Sequence, residues 1–174
     1  MEIRHPGGEE LTSVLLAMSG LEPCKILDLG AGSGHTVRYL QDLGFDASGI
    51  DLNPAQDVLQ GNILCTGYED GSFDALISEC VFYISGDPDS AAREAARILS
   101  PGGLLLLSDV CFTDPATHIA GLETAGFRVL HVEDATELWR EYYLECIWKD
   151  EIPLCLCGDQ KKKCRYFLTI CERV

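Results

Sequence analysis

A short apolar run that ends in a glycine-rich loop constrains the fold of this chain more than any other feature. The run Lys25-Ile26-Leu27-Asp28-Leu29 leads directly into Gly30-Ala31-Gly32-Ser33-Gly34, and residues 36–43 have the spacing of a helix that stops at Gly44. Glycines let a backbone turn sharply and approach a ligand closely, and a helix start presents unpaired N–H groups. The pattern predicts a strand, loop and helix with a ligand site at the end of the strand.

The rest of the chain repeats this alternation of short apolar runs and helical stretches, which is typical of an α/β domain with a mostly parallel sheet. The expected fold is a Rossmann-like three-layer sandwich with a seven-stranded, mostly parallel sheet whose last strand is antiparallel. Strands are predicted at about 25–29, 47–50, 62–64, 73–78, 104–108, 128–132 and 166–171, and helices at about 9–18, 36–43, 89–99, 116–125 and 136–148.

Length and charge narrow the functional classes. The 174 residues predict a single domain covering 1–174, and no apolar run approaches the length of a membrane span. The first residues lack the pattern of a secretion signal, so a cytoplasmic location is expected. The net charge of −15 makes nucleic acid an improbable substrate, because the one basic run, Lys161-Lys162-Lys163, is short.

Nine cysteines are present, an odd number that a single chain cannot pair completely. Without a secretion signal, reduced thiols are the expected state.

The glycine spacing indicates which ligand the loop takes. The dinucleotide fingerprint is G-x-G-x-x-G, whereas this loop has G-x-G-x-G with Asp28 on the strand just before it. Loop and acid together resemble motif I of the class I S-adenosylmethionine-dependent methyltransferases. The resemblance implies that the loop holds the methionine and ribose part of S-adenosylmethionine, with Asp28 near the methionine amino group.

Three further segments follow in the order that this family has. Asp51 ends the second predicted strand, where a carboxylate can accept hydrogen bonds from a ribose diol, and the resemblance places Leu52 on the adenine. Asn62-Ile63 resembles the segment that caps adenine, although the family often has Asp where Asn62 stands. The Pro101-Gly102-Gly103 turn resembles a structural marker before the fifth strand.

The resemblance covers residues 22–110, which form the expected cofactor-binding half. Residues 1–20 resemble an N-terminal helix or lid, and 111–174 are the expected substrate-side half. The predicted cofactor-binding residues are Asp28, Gly30, Ala31, Gly32, Ser33, Gly34, Asp51, Leu52, Asn62, Ile63 and Glu79.

The acceptor side is expected at the end of the fourth strand, where Glu79, Cys80 and Tyr83 are the candidate catalytic residues. Glu79 is either a group beside the reacting methyl, or a base, or a cap of the next helix. Tyr83 either lines the acceptor pocket or packs as an ordinary aromatic side chain. A base is needed only if the acceptor atom carries a proton.

The cysteines suggest a second chemistry. Cys80 and Cys111 follow neighbouring strands, and Cys155, Cys157 and Cys164 are spaced as C-x-C-x₆-C. Related arsenite methyltransferases use cysteines, since thiolates bind soft metalloids. The spacing matches no familiar zinc pattern, so no metal site is predicted and the three C-terminal cysteines are only candidates.

The main hypothesis is therefore an enzyme that transfers a methyl group from S-adenosylmethionine to a small-molecule acceptor. Two alternatives remain open: a methyltransferase-like partner subunit that binds the cofactor without its own turnover, and a cysteine-assisted metalloid or thiol methyltransferase. A nicotinamide-dependent oxidoreductase ranks behind them because of the glycine spacing. A homodimer or another protein partner is left open.

Overall fold

Strands and helices alternate through the computed structural model, which describes residues 5–149 and 164–174. In chain order the elements are α1 (Gly8–Ser19), β1 (Lys25–Leu29), α2 (His35–Asp42), β2 (Asp46–Asp51), β3 (Leu59–Gln60), β4 (Phe73–Glu79), α3 (Pro88–Ile98), β5 (Leu99–Cys111), α4 (Pro115–Thr124), β6 (Phe127–Asp134), α5 (Thr136–Trp148) and β7 (Arg165–Arg173).

The seven strands form one sheet in the order β3-β2-β1-β4-β5-β7-β6. Strands β1 to β5 are mutually parallel, whereas β7 lies between β5 and β6 and is antiparallel to both. The predicted mostly parallel sheet with an antiparallel last strand is confirmed. Because β1, β2 and β4 are adjacent and parallel, their carboxyl ends meet at one edge of the sheet.

Both faces of the sheet are covered, which explains why the central strands are mainly apolar. On one face, Leu76 and Leu107 pack in a cluster with Ala91 and Ala95 of α3. On the other face, a cluster from the sheet, α1, α2 and α5 contains Ile26, Ile77, Leu15, Leu40 and Trp139. The sheet and its two helical coverings form the predicted three layers.

The third strand was expected at 62–64 but forms at Leu59–Gln60, a two-residue strand that is exposed. Residues 62–64 instead form a turn, in which the Leu64 N–H donates to Asn62 Oδ1 at 2.9 Å. Strand β5 is longer than expected, because it begins at Leu99 and continues through Pro101-Gly102-Gly103.

Among the helices at 5–149 and 164–174, none combines the length and the apolar composition that crossing a bilayer requires.

Candidate functional site

A cavity of about 980 Å³ opens at the carboxyl ends of β1, β2 and β4. Its walls come from the glycine loop after β1, the segments after β2 and β3, the end of β4 and the start of α1. The volume lies near the upper end of the range for small-molecule sites, roughly 300–1,000 Å³. The cavity is large enough for a cofactor and a second small molecule.

Backbone hydrogen bonds and one close contact fix the glycine loop. The N–H groups of Gly30 and Ala31 donate to the Ile50 carbonyl at 2.8 and 3.0 Å, which ties the loop to β2. Gly30 has φ +86°, and a Cβ added there would lie 2.4 Å from Val81 Cγ2. Gly32, at φ +47°, would meet nothing within 4 Å. The absence of a side chain at Gly30 therefore lets the loop pack against Val81, while the backbone of Gly32 is open to a ligand.

Asp28 places a buried carboxyl in this cavity. Its side chain is 4% exposed and lines the cavity, and no hydrogen-bond donor contacts it among residues 5–149 and 164–174. Burial, followed by the nearby charges of Glu79 and Asp51, raises the pKa of Asp28 well above its usual value. A buried carboxyl without a donor is a favourable place for a cationic group.

Asp51 and its neighbours form the part of the cavity wall at the end of β2. The Gly32 N–H donates to Asp51 Oδ2 at 3.0 Å and the Asn53 N–H donates to Oδ1 at 2.8 Å. A carboxylate has about four lone-pair positions, so two remain for a ligand. Leu52, Asn62 and Ile63 also line the cavity, and Leu52 is 59% exposed, as expected of an apolar surface that a ligand covers.

Glu79, the last residue of β4, is the most highly connected side chain of the site. Thr12 Oγ1 of α1 lies 3.1 Å from both carboxyl oxygens, Thr36 Oγ1 of α2 donates to Oε2 at 3.3 Å, and His5 Nε2 lies 3.3 Å from Oε2. Burial raises the pKa of Glu79 to about 7, although the hydrogen bonds from Thr12 and Thr36 lower it. Glu79 thus joins the N-terminal segment to the cavity.

The helix-cap alternative for Glu79 does not hold. Helix α3 begins at Pro88, and its N-cap is Asp87, whose side chain accepts the Ser90 N–H.

Sequence reasoning missed His5, Thr12 and Thr36, which surround Glu79. Thr12 is 1% exposed and lies between Leu11 and Leu15 on the buried face of α1. A hydroxyl on the apolar face of a predicted helix needs a partner. This hydroxyl was the sequence signal that could have identified Thr12. No sequence pattern links His5 with Glu79.

Cys80 lies in the cavity in an unusual backbone conformation. It has φ +61°, which is uncommon for a residue with a side chain, and its N–H donates to the Ser108 carbonyl at 2.7 Å. The thiol is 2% exposed and lies 3.4 Å from the Tyr166 hydroxyl. Strained backbone of this kind often occurs at functional sites.

Tyr83 and Gly34 are predicted site residues that the structure does not bring to the cavity wall. The Tyr83 ring packs on Phe112, with ring centroids 4.9 Å apart, and its N–H donates to Asp109 Oδ2 at 3.0 Å. These contacts agree with the alternative in which Tyr83 packs as an ordinary aromatic side chain. Gly34 is the N-cap of α2, with φ +73°.

The cysteines are not gathered into one cluster in the part of the chain that the structure describes. Cys111 lies outside the cavity wall, with Sγ 3.0 Å from Thr113 Oγ1. No group of three or more potential metal ligands occurs within 5–149 and 164–174. Of the C-terminal candidates, Cys155 and Cys157 lie outside the described residues, while Cys164 is half-buried before β7. The metalloid alternative stays a prediction.

Comparison with known proteins gives a consistent result. A family model described as a methyltransferase domain matches residues 27–107. An arsenite methyltransferase of Aquipseudomonas alcaligenes is 34% identical over 55% of this chain and 35% of its own length. A malonyl-[acyl-carrier protein] O-methyltransferase of Coxiella burnetii is 32% identical over 52% of this chain and 35% of its own length. The aligned region thus spans about a third of these relatives.

Solved structures support the fold. Phosphoethanolamine N-methyltransferase 2 of Haemonchus contortus, in complex with S-adenosyl-L-methionine, superposes with a TM-score of 0.75 at 18% identity, over 97% of this chain and 53% of that chain.

Proposed function

Since the chain belongs to the class I S-adenosylmethionine-dependent methyltransferases, we propose that it transfers a methyl group from S-adenosylmethionine to a small-molecule acceptor. The observation that carries this proposal is the presence of two carboxyl groups, those of Asp28 and Asp51, in the wall of the same cavity. Asp28 is buried without a hydrogen-bond donor among the described residues, and Asp51 keeps lone pairs available at the end of the neighbouring strand.

The residues present fit the cofactor. Asp28 would bind the methionine ammonium, and Asp51 would accept the ribose hydroxyls. Leu52 and Ile63 would contact the adenine, with Asn62 at its edge. The remaining contacts would come from the glycine loop, in particular Gly30, Ala31, Gly32 and Ser33. When bound, S-adenosylmethionine supplies a methyl group activated by attachment to a sulfonium.

The protein's own contribution is positioning and the exclusion of water, which together can lower a barrier by roughly 7–11 kcal/mol in ideal cases. Helix α1 covers the end of β4, where Thr12 contacts Glu79. Glu79 can hold the proton of an acceptor near neutral pH. Cys80 forms part of the wall beside it. Tyr83 is not needed in this arrangement.

Calorimetry with S-adenosylhomocysteine and with NAD tests the cofactor. We expect binding of the first and none of the second. The variant Asp51→Ala should weaken binding by about tenfold or more, because a charge-assisted hydrogen bond contributes about 1.5–3 kcal/mol. Asp57→Ala is the matched control, since Asp57 is an exposed acid of the same segment outside the cavity wall. Equal affinity for both variants would show that the ribose is held elsewhere.

Turnover separates the enzyme from the partner-subunit alternative. The acceptor panel contains amines, thiols, carboxylic acids and arsenite, the last because of the similarity to an arsenite methyltransferase. Binding of S-adenosylhomocysteine with no turnover on any acceptor would favour a subunit that acts with a second protein. Nucleic acid stays outside the proposed acceptors because of the net charge of −15.

A further inference from the structure

We propose that the acceptor is an amine that enters the cavity as an ammonium ion and is recognised by Glu79. This inference rests on the proposed function and names the class of substrate for the same cavity.

The charge of the cavity wall is the first observation. Five carboxyl side chains line it: Glu9, Glu10, Asp28, Asp51 and Glu79. Among the described residues of the wall there is no lysine or arginine. If the cofactor takes Asp28 and Asp51, three acids remain on the side formed by α1 and β4. A carboxylate or phosphate acceptor would meet like charges there, whereas an ammonium would meet opposite charges.

The start of α1 does not reverse this preference. A helix N-terminus carries positive partial charge and would favour an anion. Glu9 and Glu10 already lie in the first turn of α1, and Glu9 Oε1 is 2.9 Å from His35 Nε2 at the start of α2. These two acids add negative charge beside the helix start, which offsets the preference of that end of the helix for an anion.

The contact between His5 and Glu79 is the second observation. His5 Nδ1 lies 3.2 Å from the Pro6 carbonyl, which can only accept a hydrogen bond, so Nδ1 carries a hydrogen. In a neutral ring, His5 Nε2 then has a lone pair, so at 3.3 Å it can accept a hydrogen bond from Glu79 Oε2 whenever that carboxyl group is protonated. The pair is built to hold a proton at the cavity wall.

An amine needs such a group. Its nitrogen becomes nucleophilic only after an N–H bond breaks and the proton leaves. In the unprotonated form of the pair, a carboxyl oxygen of Glu79 takes this proton and forms an O–H bond. The same side chain thus attracts the ammonium and accepts its proton. Thr12 and Thr36 hold the carboxyl in place through hydrogen bonds from two helices.

The test measures binding, not turnover, in protein saturated with S-adenosylhomocysteine. The probes are benzylamine, benzyl alcohol and benzoate, which share a ring and differ in charge at pH 7. Ligand-observed NMR gives their affinities. We expect benzylamine to bind at least about tenfold more tightly than benzoate, with benzyl alcohol between them. Glu79→Gln should reduce the ratio to below about threefold, whereas Glu123→Gln, which removes an exposed acid of α4, should leave it unchanged.

Circular dichroism checks that each variant folds. Since Glu79 is buried, Glu10→Gln serves as a second variant and should reduce the ratio about two- to threefold. Equal or tighter binding of benzoate, no binding of any probe, or an unchanged ratio in both cavity variants overturns the inference, and the proposed function then stands if S-adenosylhomocysteine binds. Failure to bind S-adenosylhomocysteine overturns both.

Discussion

Glu79 shows how a single residue can depend on four separate parts of the chain. It ends β4, and its carboxyl group contacts Thr12 of α1, Thr36 of α2 and His5 of the N-terminal segment. Burying a carboxylate is unfavourable unless hydrogen bonds compensate. Here the compensation is partial, because the pKa remains raised to about 7. A fold that keeps such a group at a cavity wall maintains a proton-holding residue at the expense of stability.

The raised pKa predicts a pH dependence of stability. An unfolded glutamate has a pKa of 4.5, against about 7 for Glu79 in the folded chain. Between these values the folded state keeps a proton that the unfolded state has lost, so stability falls as the pH rises from about 4.5 to 7. Glu79→Gln should flatten this decline by an amount of order 1–3 kcal/mol. Urea unfolding of both proteins at several pH values from 5 to 8 measures the free energy of unfolding and its dependence on pH.

The comparison isolates the contribution of Glu79 together with its charge interaction with Asp28, because the other carboxyl groups with raised pKa values stay in both proteins. Burial also raises the pKa of Asp28 and Asp109, and these carboxyl groups lower stability with rising pH in the same direction. Parallel curves for the wild type and Glu79→Gln would show that the folded and unfolded pKa values of Glu79 are alike.

At the scale of elements, the sequence is most informative where one local rule decides the structure. The run 25–29, its glycine loop and α2 follow from apolar pattern and glycine spacing alone. Strand β3 was misplaced because Leu59–Gln60 is exposed and short, so no burial pattern marks it. Ile63 is 6% exposed and suggested a strand, but it is buried from a turn.

The candidate site was predictable for a related reason. Asp28 is the next-to-last residue of β1 and Asp51 is the last residue of β2, a neighbouring parallel strand, so topology alone brings them to the same edge. The contacts of Glu79 with His5 and Thr12 depend on how α1 packs across the sheet, and residues 67 or more positions apart share no local signal. Tyr83 was a candidate by proximity in sequence, but its packing on Phe112 depends on tertiary structure.

The glycine loop gives a prediction at this scale. Gly30→Ala would place a Cβ 2.4 Å from Val81 Cγ2 in a residue with φ +86°. Because this Cβ would clash with the segment after β4, the glycine loop must shift. We therefore expect the affinity for S-adenosylhomocysteine to fall at least tenfold and the melting temperature to decrease. Gly67→Ala is the control: its φ of +77° is similar, but nothing lies within 4 Å.

Calorimetry and thermal unfolding of both variants separate the effect of the contact with Val81 from the effect of the positive φ angle. Gly67→Ala should show only the cost of the backbone conformation, about 1 kcal/mol, with unchanged ligand affinity. If both variants lose stability and affinity equally, contact with Val81 is not what requires a glycine at position 30.

For the whole molecule, the position of β7 makes the fold depend on the last strand of the sequence. Strand β7 pairs with β5 along Leu104–Cys111 and with β6 along Phe127–Asp134. Within the described residues, β6 has no other strand partner. Strand β6 is therefore joined to the rest of the described sheet only through β7, which follows it in the sequence.

We predict that deletion of residues 165–174 abolishes cooperative folding. The deletion removes five side chains of the hydrophobic core that are at most 2% exposed: Tyr166, Phe167, Leu168, Ile170 and Cys171. At roughly 1.5–3 kcal/mol for each large apolar side chain, their loss is comparable with the whole stability of a domain, about 5–15 kcal/mol. Deleting Val174 alone, which is 79% exposed, should leave the fold intact. Circular dichroism and urea unfolding distinguish the two, and a cooperative transition in the longer deletion would show that β1 to β6 form a stable sheet without β7.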